Sequence, residues 1–417
     1  MHILVIGSGG REHALVKALL RSASTSSVTC SPGNAGIAAD VPCIAIAGND
    51  ATVDYCRIHA IDLVVVGPEQ PLVDGLADAL RSAGIAVFGP CAAGAQLEAS
   101  KDFTKKLCDK YSIPTARYAT FDNRTAAFEY IYTHGAPIVV KADGLAAGKG
   151  VTVAMTPKEA VDAVDACFDG AFGEAGARVV IEEYMEGQEA SFFALCDGTQ
   201  AVLFASAQDH KRAFDGDKGP NTGGMGTYSP APVMDAAMNA RVMREIIEPT
   251  LRGLIAEGIP YIGVLFAGLM LTKDGPKLIE YNARFGDPET QTMLARFDGD
   301  LAALLLSCAQ GELDDAQLRF SDEAAVCVVM AAKGYPATFE KGTVIRGLAE
   351  AAATEGVSIL HAGTAERDGV LVSNGGRVLN IVATAPTLAK ARTRAYAAIE
   401  KIDWPEGFCR TDIAART

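Results

Sequence analysis

Short apolar runs at residues 3–6, 28–30, 63–66 and 87–88 are each followed closely by Gly or Pro, and polar-apolar stretches at 12–20 and 72–82 lie between them. Continuous apolar runs of this length read as strands buried on both faces, and the intervening segments as helices packed over them. The alternation predicts a doubly wound α/β domain with a parallel sheet, whose ligands sit at the carboxyl ends of the strands. From about residue 101 the pattern changes. Strands at 137–141, 151–155 and 179–184 surround a small-residue loop, and Thr156, Pro157 and Glu159 occupy the N-cap, N1 and N3 positions of a helix start. Helices are expected at 241–257 and 300–311, and a strand at 264–271 pairs with 277–282 across Thr272-Lys-Asp-Gly. The stretch 208–226 is too long and too poor in apolar residues for an element, so it reads as a functional or disordered loop. From about 321 a β-rich α+β unit follows, with strands at 324–332, 343–348, 371–372 and 378–383 and a closing helix at 387–402. Three domains are expected, 1–100, 101–320 and 321–417, with a lid subdomain at about 114–185.

The first strand-to-helix turn, Gly7-Ser-Gly9-Gly10-Arg11-Glu12-His13, is similar to a dinucleotide fingerprint but departs from it. Glu12 stands at the third glycine position, and the second strand ends without the carboxylate that a ribose needs. What remains is an anion-binding turn in which Gly9 and Gly10 free backbone amides at a helix N-terminus and Arg11 offers a two-pronged phosphate contact.

A second glycine-rich loop comprises Gly144, Leu145, Ala146, Ala147, Gly148, Lys149 and Gly150. It lies between two strands, and Lys149 is followed by Gly rather than Ser or Thr, so it is not a Walker loop. It reads as a mobile flap that closes its amides over a triphosphate, with Lys141 and Lys149 as point charges. The 208–226 stretch clusters Asp209, His210, Lys211 and Arg212 ahead of a glycine-rich run from Gly219 to Gly226, with Asn221, Thr222, Gly223 and Gly224 in it, which favours substrate contact. Further on, the strand Lys277-Leu-Ile-Glu280-Tyr-Asn282 runs into Arg284. Strand alternation places Leu278, Glu280 and Asn282 on one face, with the last two about 6.5 Å apart at the backbone. A carboxylate and an amide oxygen so spaced suit Mg²⁺, which takes few protein ligands and completes its shell with phosphate and water.

With 417 residues, 49% of them hydrophobic, the chain holds ample core for three domains. A formal charge of −14 argues against a general nucleic-acid or anionic-membrane binder. No apolar run reaches membrane-spanning length, and Met1-His-Ile-Leu-Val enters a strand at once, so a soluble cytoplasmic protein without a leader is expected. The ten cysteines and six histidines are scattered without metal-ligand spacing. A monomer is the expected state, with oligomers left open.

These motifs run in order along the whole chain: Pro32-Gly-Asn-Ala-Gly36, Val66-Gly-Pro-Glu69, the Lys141 to Gly150 block, Gln208-Asp-His-Lys-Arg212, Gly219-Pro-Asn-Thr-Gly-Gly-Met-Gly226, Arg284-Phe-Gly-Asp-Pro-Glu-Thr-Gln291 and His361-Ala-Gly363. In this the sequence resembles the phosphoribosylamine–glycine ligases of the ATP-grasp superfamily. The resemblance implies an ATP-grasp central domain and the ATP-driven joining of glycine to 5-phospho-β-D-ribosylamine through glycyl phosphate, in purine synthesis. It implies Lys101 and Lys141 on the nucleotide phosphates, Glu182, Glu183 and Tyr184 beside adenine, and Glu189 at the ribose. Glu280 and Asn282 would hold Mg²⁺ or Mn²⁺, and Arg284, with Lys141 and Asp209, would serve the chemistry. Gly9, Gly10, Arg11, Asp209, Lys211, Arg284 and the 221–224 loop would hold glycine and phosphoribosylamine. The strand before Glu280 carries no acid where many relatives place another metal ligand, so the number of metal ions stays open. Another carboxylate–amine ligase and a non-catalytic nucleotide-binding protein remain alternatives.

Overall fold

The structure, a computed structural model, describes residues 1–146 and 150–415. Its first unit is a parallel sheet in the order Ser27–Pro32, His2–Gly7, Leu63–Val66, Val87–Phe88. Ile3, Leu4 and Val5 on one strand and Leu63, Val64 and Val65 on the next are fully buried, as expected of strands covered on both faces. The expected helix at 72–82 is two, Glu69–Val73 and Leu76–Ser82, because Gly75 turns into the left-handed region at φ 80°.

The lid is an antiparallel sheet, Tyr118–Phe121, Val179–Glu183, Ile138–Ala142, Val151–Ala154. Two helices, Arg124–His134 and Pro157–Phe168, bury Ala127, Ile131, Ala160 and Val164 against it. The second helix starts as expected: the Thr156 side chain accepts from the Glu159 amide, and Glu159 reaches back to the Met155 amide.

The third unit is not a separate sheet. One nine-stranded sheet carries Gly275–Asn282, Ile262–Thr272, Gln188–Asp197, Ala201–Asp209, Gly226–Ser229, Ala324–Ala332, Arg377–Ala385 and Val357–His361 in that order, with Gly407–Phe408 on Ala324–Ala332. The short strand Gly226–Ser229 is the seam, pairing Ala201–Asp209 on one side and Ala324–Ala332 on the other. Three further expectations need correction. Residues 343–348 make only isolated bridges before the helix Leu348–Ala352. The helix expected at 241–257 is Ala236–Val242, a π-helical turn Met243–Ile247, and Glu248–Ala256. Pro249 has no N–H for the carbonyl one turn back, and a widened turn accommodates that loss. The stretch 208–226 contains a hairpin, Arg212–Phe214 with Lys218–Asn221. Its stabilising partners lie in the segment 410–412, far along the chain, so no local apolar pattern announces it. Among the described residues no helix is long and apolar enough to cross a membrane.

Candidate active site

The site grows from the strand Gly275–Asn282. Gly268 lies opposite Glu280 but Leu269 opposite Leu278, so Ile279 is an extra residue on this strand. The bulge resets the pleat. Leu278 joins Tyr281 in the core beneath the sheet, instead of sharing a face with Glu280 and Asn282 as simple alternation predicts. Glu280 and Asn282 open onto a cavity of about 1220 Å³. The Ile279 carbonyl, at the bulge, accepts from Lys141 Nζ at 3.0 Å.

Lys141 projects from the lid strand Ile138–Ala142 and is nearly fully buried. Its ammonium lies 3.0 Å from Glu182 Oε2, and Lys105 Nζ lies 3.2 Å from Glu182 Oε1. Lys105 also donates to Thr115 Oγ1 at 2.7 Å and the Ala116 carbonyl at 3.2 Å. Lys101, one turn earlier on the helix Lys101–Tyr111, donates to the Gly144 carbonyl at 3.0 Å. Burial pulls the Lys105 and Lys101 ammonium groups below the usual lysine range, against the opposing pull of Glu182 and Glu280. Across the cavity Lys211 Nζ stands 3.3 Å from Glu189 and 3.9 Å from Glu280. Burial alone would raise the Glu280 carboxyl, but Lys211, Lys141, Lys101 and Arg284 outweigh it and hold the group below the usual carboxylate range. An ionised carboxylate and an amide oxygen facing a cavity ringed by lysines fit a hard divalent cation. Among the described residues no group of three or more His, Cys, Asp or Glu side chains forms a closed metal cage.

Behind this wall the cations are tied down. Arg284 donates to Glu69 Oε2 at 3.1 Å, Glu98 Oε1 at 2.7 Å and the Phe285 carbonyl at 3.2 Å. Arg11 donates to that same carbonyl at 2.7 Å and to Glu12 Oε1 at 2.7 Å. Glu12, the residue that breaks the dinucleotide pattern, fills the space under the turn. A Cβ on Gly67 would stand 2.0 Å from its Oε1, so a side chain there would displace Glu12. Asp287 accepts from Gln291 at 2.9 Å and faces Arg377 at 3.5 Å. Burial would raise its carboxyl, and Arg377 and Arg11 bring it below the usual range. Asp209 is different: burial, with Glu289 beside it, drives its carboxyl well above the usual range despite Lys211 and Arg377. Its Oδ1 is buried without a hydrogen-bond partner among the described residues.

Family models for phosphoribosylglycinamide synthetase match in succession, the N domain at residues 1–98, the ATP-grasp (A) domain at 99–290 and the C domain at 325–416. The chain belongs to the phosphoribosylglycinamide synthetase family. A phosphoribosylamine–glycine ligase of Brucella melitensis is 58% identical, covering 100% of this chain and 98% of its own. That of Mesorhizobium japonicum is 59% identical over 99% of this chain and 97% of its own. The crystal structure of the Thermotoga maritima phosphoribosylamine–glycine ligase aligns with a TM-score of 0.87 at 34% identity, covering 99% of this chain and 100% of that one. A biotin carboxylase from Campylobacter jejuni, solved as a β,γ-ATP complex, is similar in fold alone, with a TM-score of 0.74 at 15% identity over 100% of this chain and 98% of its own.

The site residues expected from the sequence gather in one place with few exceptions. Lys101, Lys141, Glu182, Lys211, Glu280 and Arg284 share the large cavity, with Tyr184, Glu189, Asn221, Thr222 and Gly223 on its walls. Glu183 also lines it, though its carboxylate is committed to Arg117 at 2.7 Å and Lys277 at 3.5 Å. Of the expected flap, Gly144, Leu145, Ala146 and Gly150 line the cavity, while Ala147, Gly148 and Lys149 lie outside the described residues. Gly9 borders a second cavity of about 340 Å³ with Asn34, Thr364 and Arg377. Gly10 and Gly224 line neither. A Cβ on Gly10 would come within 2.3 Å of the Asn380 amide, and one on Gly224 within 2.8 Å of Asp209, so both glycines serve close packing. Sequence reading gave no role to Lys105, Glu98, Glu289 or Arg377. Lys105 was recoverable, since its i+4 spacing puts it on the face of Lys101. Arg377 carries no local signal: it reaches the carbonyls of Gly223 and Asp287, both at 2.7 Å, from a strand of the third unit.

Proposed function

We propose that this chain joins glycine to 5-phospho-β-D-ribosylamine at the expense of ATP, giving glycinamide ribonucleotide, ADP and phosphate, the glycine-ligation step of purine synthesis. The observation that carries the reading is the ring of Lys101, Lys141 and Lys211 around the Glu280 carboxylate in a single cavity, in a chain of this family. The glycine carboxylate attacks the γ-phosphorus, and the bond to the β-phosphate oxygen breaks to leave ADP. The ribosylamine nitrogen then attacks the carbonyl of glycyl phosphate, and phosphate departs as the amide forms. Such chemistry needs charge neutralisation and alignment, not a protein nucleophile. Lys101 and Lys141 hold the nucleotide phosphates. Glu280 and Asn282 hold Mg²⁺ or Mn²⁺, whose contribution when bound is neutralisation of phosphate charge. Glu182 holds Lys141 and Lys105 rather than the adenine, and Tyr184 borders the base. Arg284, gripped by Glu69 and Glu98, fixes the loop after Asn282 and adds positive charge beside Glu280. Asp209 and Lys211 face the acceptor side, where a carboxyl and an ammonium complement an amine and a carboxylate.

The test is phosphate release with ATP, Mg²⁺, glycine and freshly generated phosphoribosylamine, omitting each in turn. Full turnover is expected only with all of them. Release that proceeds equally with glycine replaced by another amino acid would make this a different carboxylate–amine ligase.

A further inference from the structure

The hairpin Arg212–Phe214 with Lys218–Asn221 is held by little of its own. It pairs at Arg212 with Asn221 and at Phe214 with Lys218, with a register shift between them. A two-stranded hairpin alone is marginal in water. Its anchor is the segment 409–414, which follows the closing helix Leu388–Ile399. Arg410, 1% exposed, is among the most deeply buried large side chains of the molecule. Its guanidinium meets Asp412 twice, at 2.7 and 2.8 Å, Asp217 of the hairpin turn at 2.9 Å, and the Arg212 carbonyl at 3.0 Å. Neighbours extend the grip. The Thr411 amide donates to Asp215 at 2.8 Å, the Gly216 amide to Asp412 at 2.8 Å, and the Ala414 amide to His210 Nε2 at 3.3 Å.

The other end of the hairpin enters the active site. The Lys211 carbonyl accepts from both the amide and the hydroxyl of Thr222, at 2.8 and 2.9 Å, closing the hairpin base. Lys211 then points to Glu189 and Glu280, and Asp209 offers its unpartnered Oδ1 beneath Gly224. His210, Asp217 and Ala414 themselves line the cavity. We infer that Arg410 is a positioning residue for the acceptor half of the site: from the third unit it fixes the hairpin and so places Lys211, beside the strand-held Asp209, for the amino acid and the amine. The nucleotide phosphates, gripped by Lys101 and Lys141 on the helix and the lid strand, do not depend on it. A planar, always-charged fork suits this task, because one group must satisfy a carboxylate, a second carboxylate and a carbonyl in fixed directions.

The inference rests on the proposed reaction, and steady-state kinetics of the full chain with each substrate varied in turn tests it. Arg410→Lys keeps the charge and loses the fork. Asp217→Asn weakens the grip from the hairpin side alone, and carries the test should the first variant not fold. KM for glycine and for phosphoribosylamine should rise about tenfold in Arg410→Lys, and by a smaller factor in Asp217→Asn, with KM for ATP within about twofold of the parent. A lowered melting temperature with all three Michaelis constants unchanged would make Arg410 a staple and overturn the inference, as would an equal rise in all three. A parent chain without glycine-dependent ATP consumption would overturn the reaction itself, and the inference with it.

Discussion

Two glutamates that open onto the same cavity, Glu182 and Glu280, differ in role because they differ in burial. Glu182, 3% exposed, sits between Lys105 and Lys141, whose side chains are equally buried. Removing one partner of such a cluster strands the others without counter-charge. Glu182→Gln is therefore expected to lower stability by about 3–5 kcal/mol, read as a shifted urea midpoint. Glu280 is 33% exposed, and the nearest cation in ion-pair range, Lys211, is 3.9 Å away. Glu280→Gln should cost far less stability and cut turnover about a hundredfold or more, with nucleotide affinity much less affected. Near-normal turnover of Glu280→Gln at saturating Mg²⁺ would remove Glu280 from the metal site. Equal stability of Glu182→Gln and the parent would mean that the two lysines do not need their buried carboxylate.

At the scale of elements, the shared sheet makes a claim about cooperativity. Trp404, the chain's one tryptophan, is buried in the third unit and donates to Thr343 Oγ1 at 2.9 Å. Phe193 is fully buried in the central strands, stacked on Phe266 at 4.3 Å. Phe193→Ala should cost about 3–5 kcal/mol and lower the denaturation midpoint that Trp404 fluorescence reports. A Trp404 midpoint identical to the parent's would mean that the third unit unfolds by itself. Several strands were legible in the sequence, but the central pair Gln188–Asp197 and Ala201–Asp209 and the seam beside it were not. The runs at 63–66, 137–141 and 324–332 are apolar enough to declare themselves, and Glu280, Asn282 and Lys141 stood out by residue type. The seam Gly226–Ser229 is short and opens in a glycine-rich stretch, so its pairing with a strand far along the chain leaves no periodic trace. The bulge at Ile279 is equally silent, since one extra residue changes a face without changing the pattern. The Arg410 anchor was invisible for the same reason: its partners are set by tertiary contact.

The whole molecule is joined at a second place, where the first and third units meet. His13 Nδ1 accepts from the His361 amide at 2.8 Å, which leaves Nε2 to donate to Asp40 at 2.9 Å; Lys17 pairs with the other Asp40 oxygen at 2.8 Å. The His361 ring, 5.7 Å from that of His13, bonds Thr364 Oγ1 at 3.1 Å. Burial, then the neighbouring His13, pushes its pKa from 6.5 to about 4. The folded state thus takes up the His361 proton later than the unfolded state, so the unfolded state binds more protons as pH falls from about 6.5 to 4. Stability should decline across that window, by up to about 3 kcal/mol, and level off below it. The Asp40 carboxyl, which burial would raise, is brought to about 2 by bonds from His13 and Lys17, so its own contribution is lost only in stronger acid. Urea midpoints measured from neutral pH down to the His361 pKa should fall less in His361→Gln than in the parent; parallel slopes would place the acid sensitivity elsewhere. The seam strand also bears on how such chains can be recombined. A chimera cut between residues 290 and 325 would import a new Ala324–Ala332 strand against a resident Gly226–Ser229. Any mismatch there would leave two unpaired strand edges facing each other in the middle of the molecule, and open edges recruit other chains. Grafts within this family should therefore carry the hairpin, the seam strand and the third unit together, or they will be lost to aggregation before their chemistry can be compared.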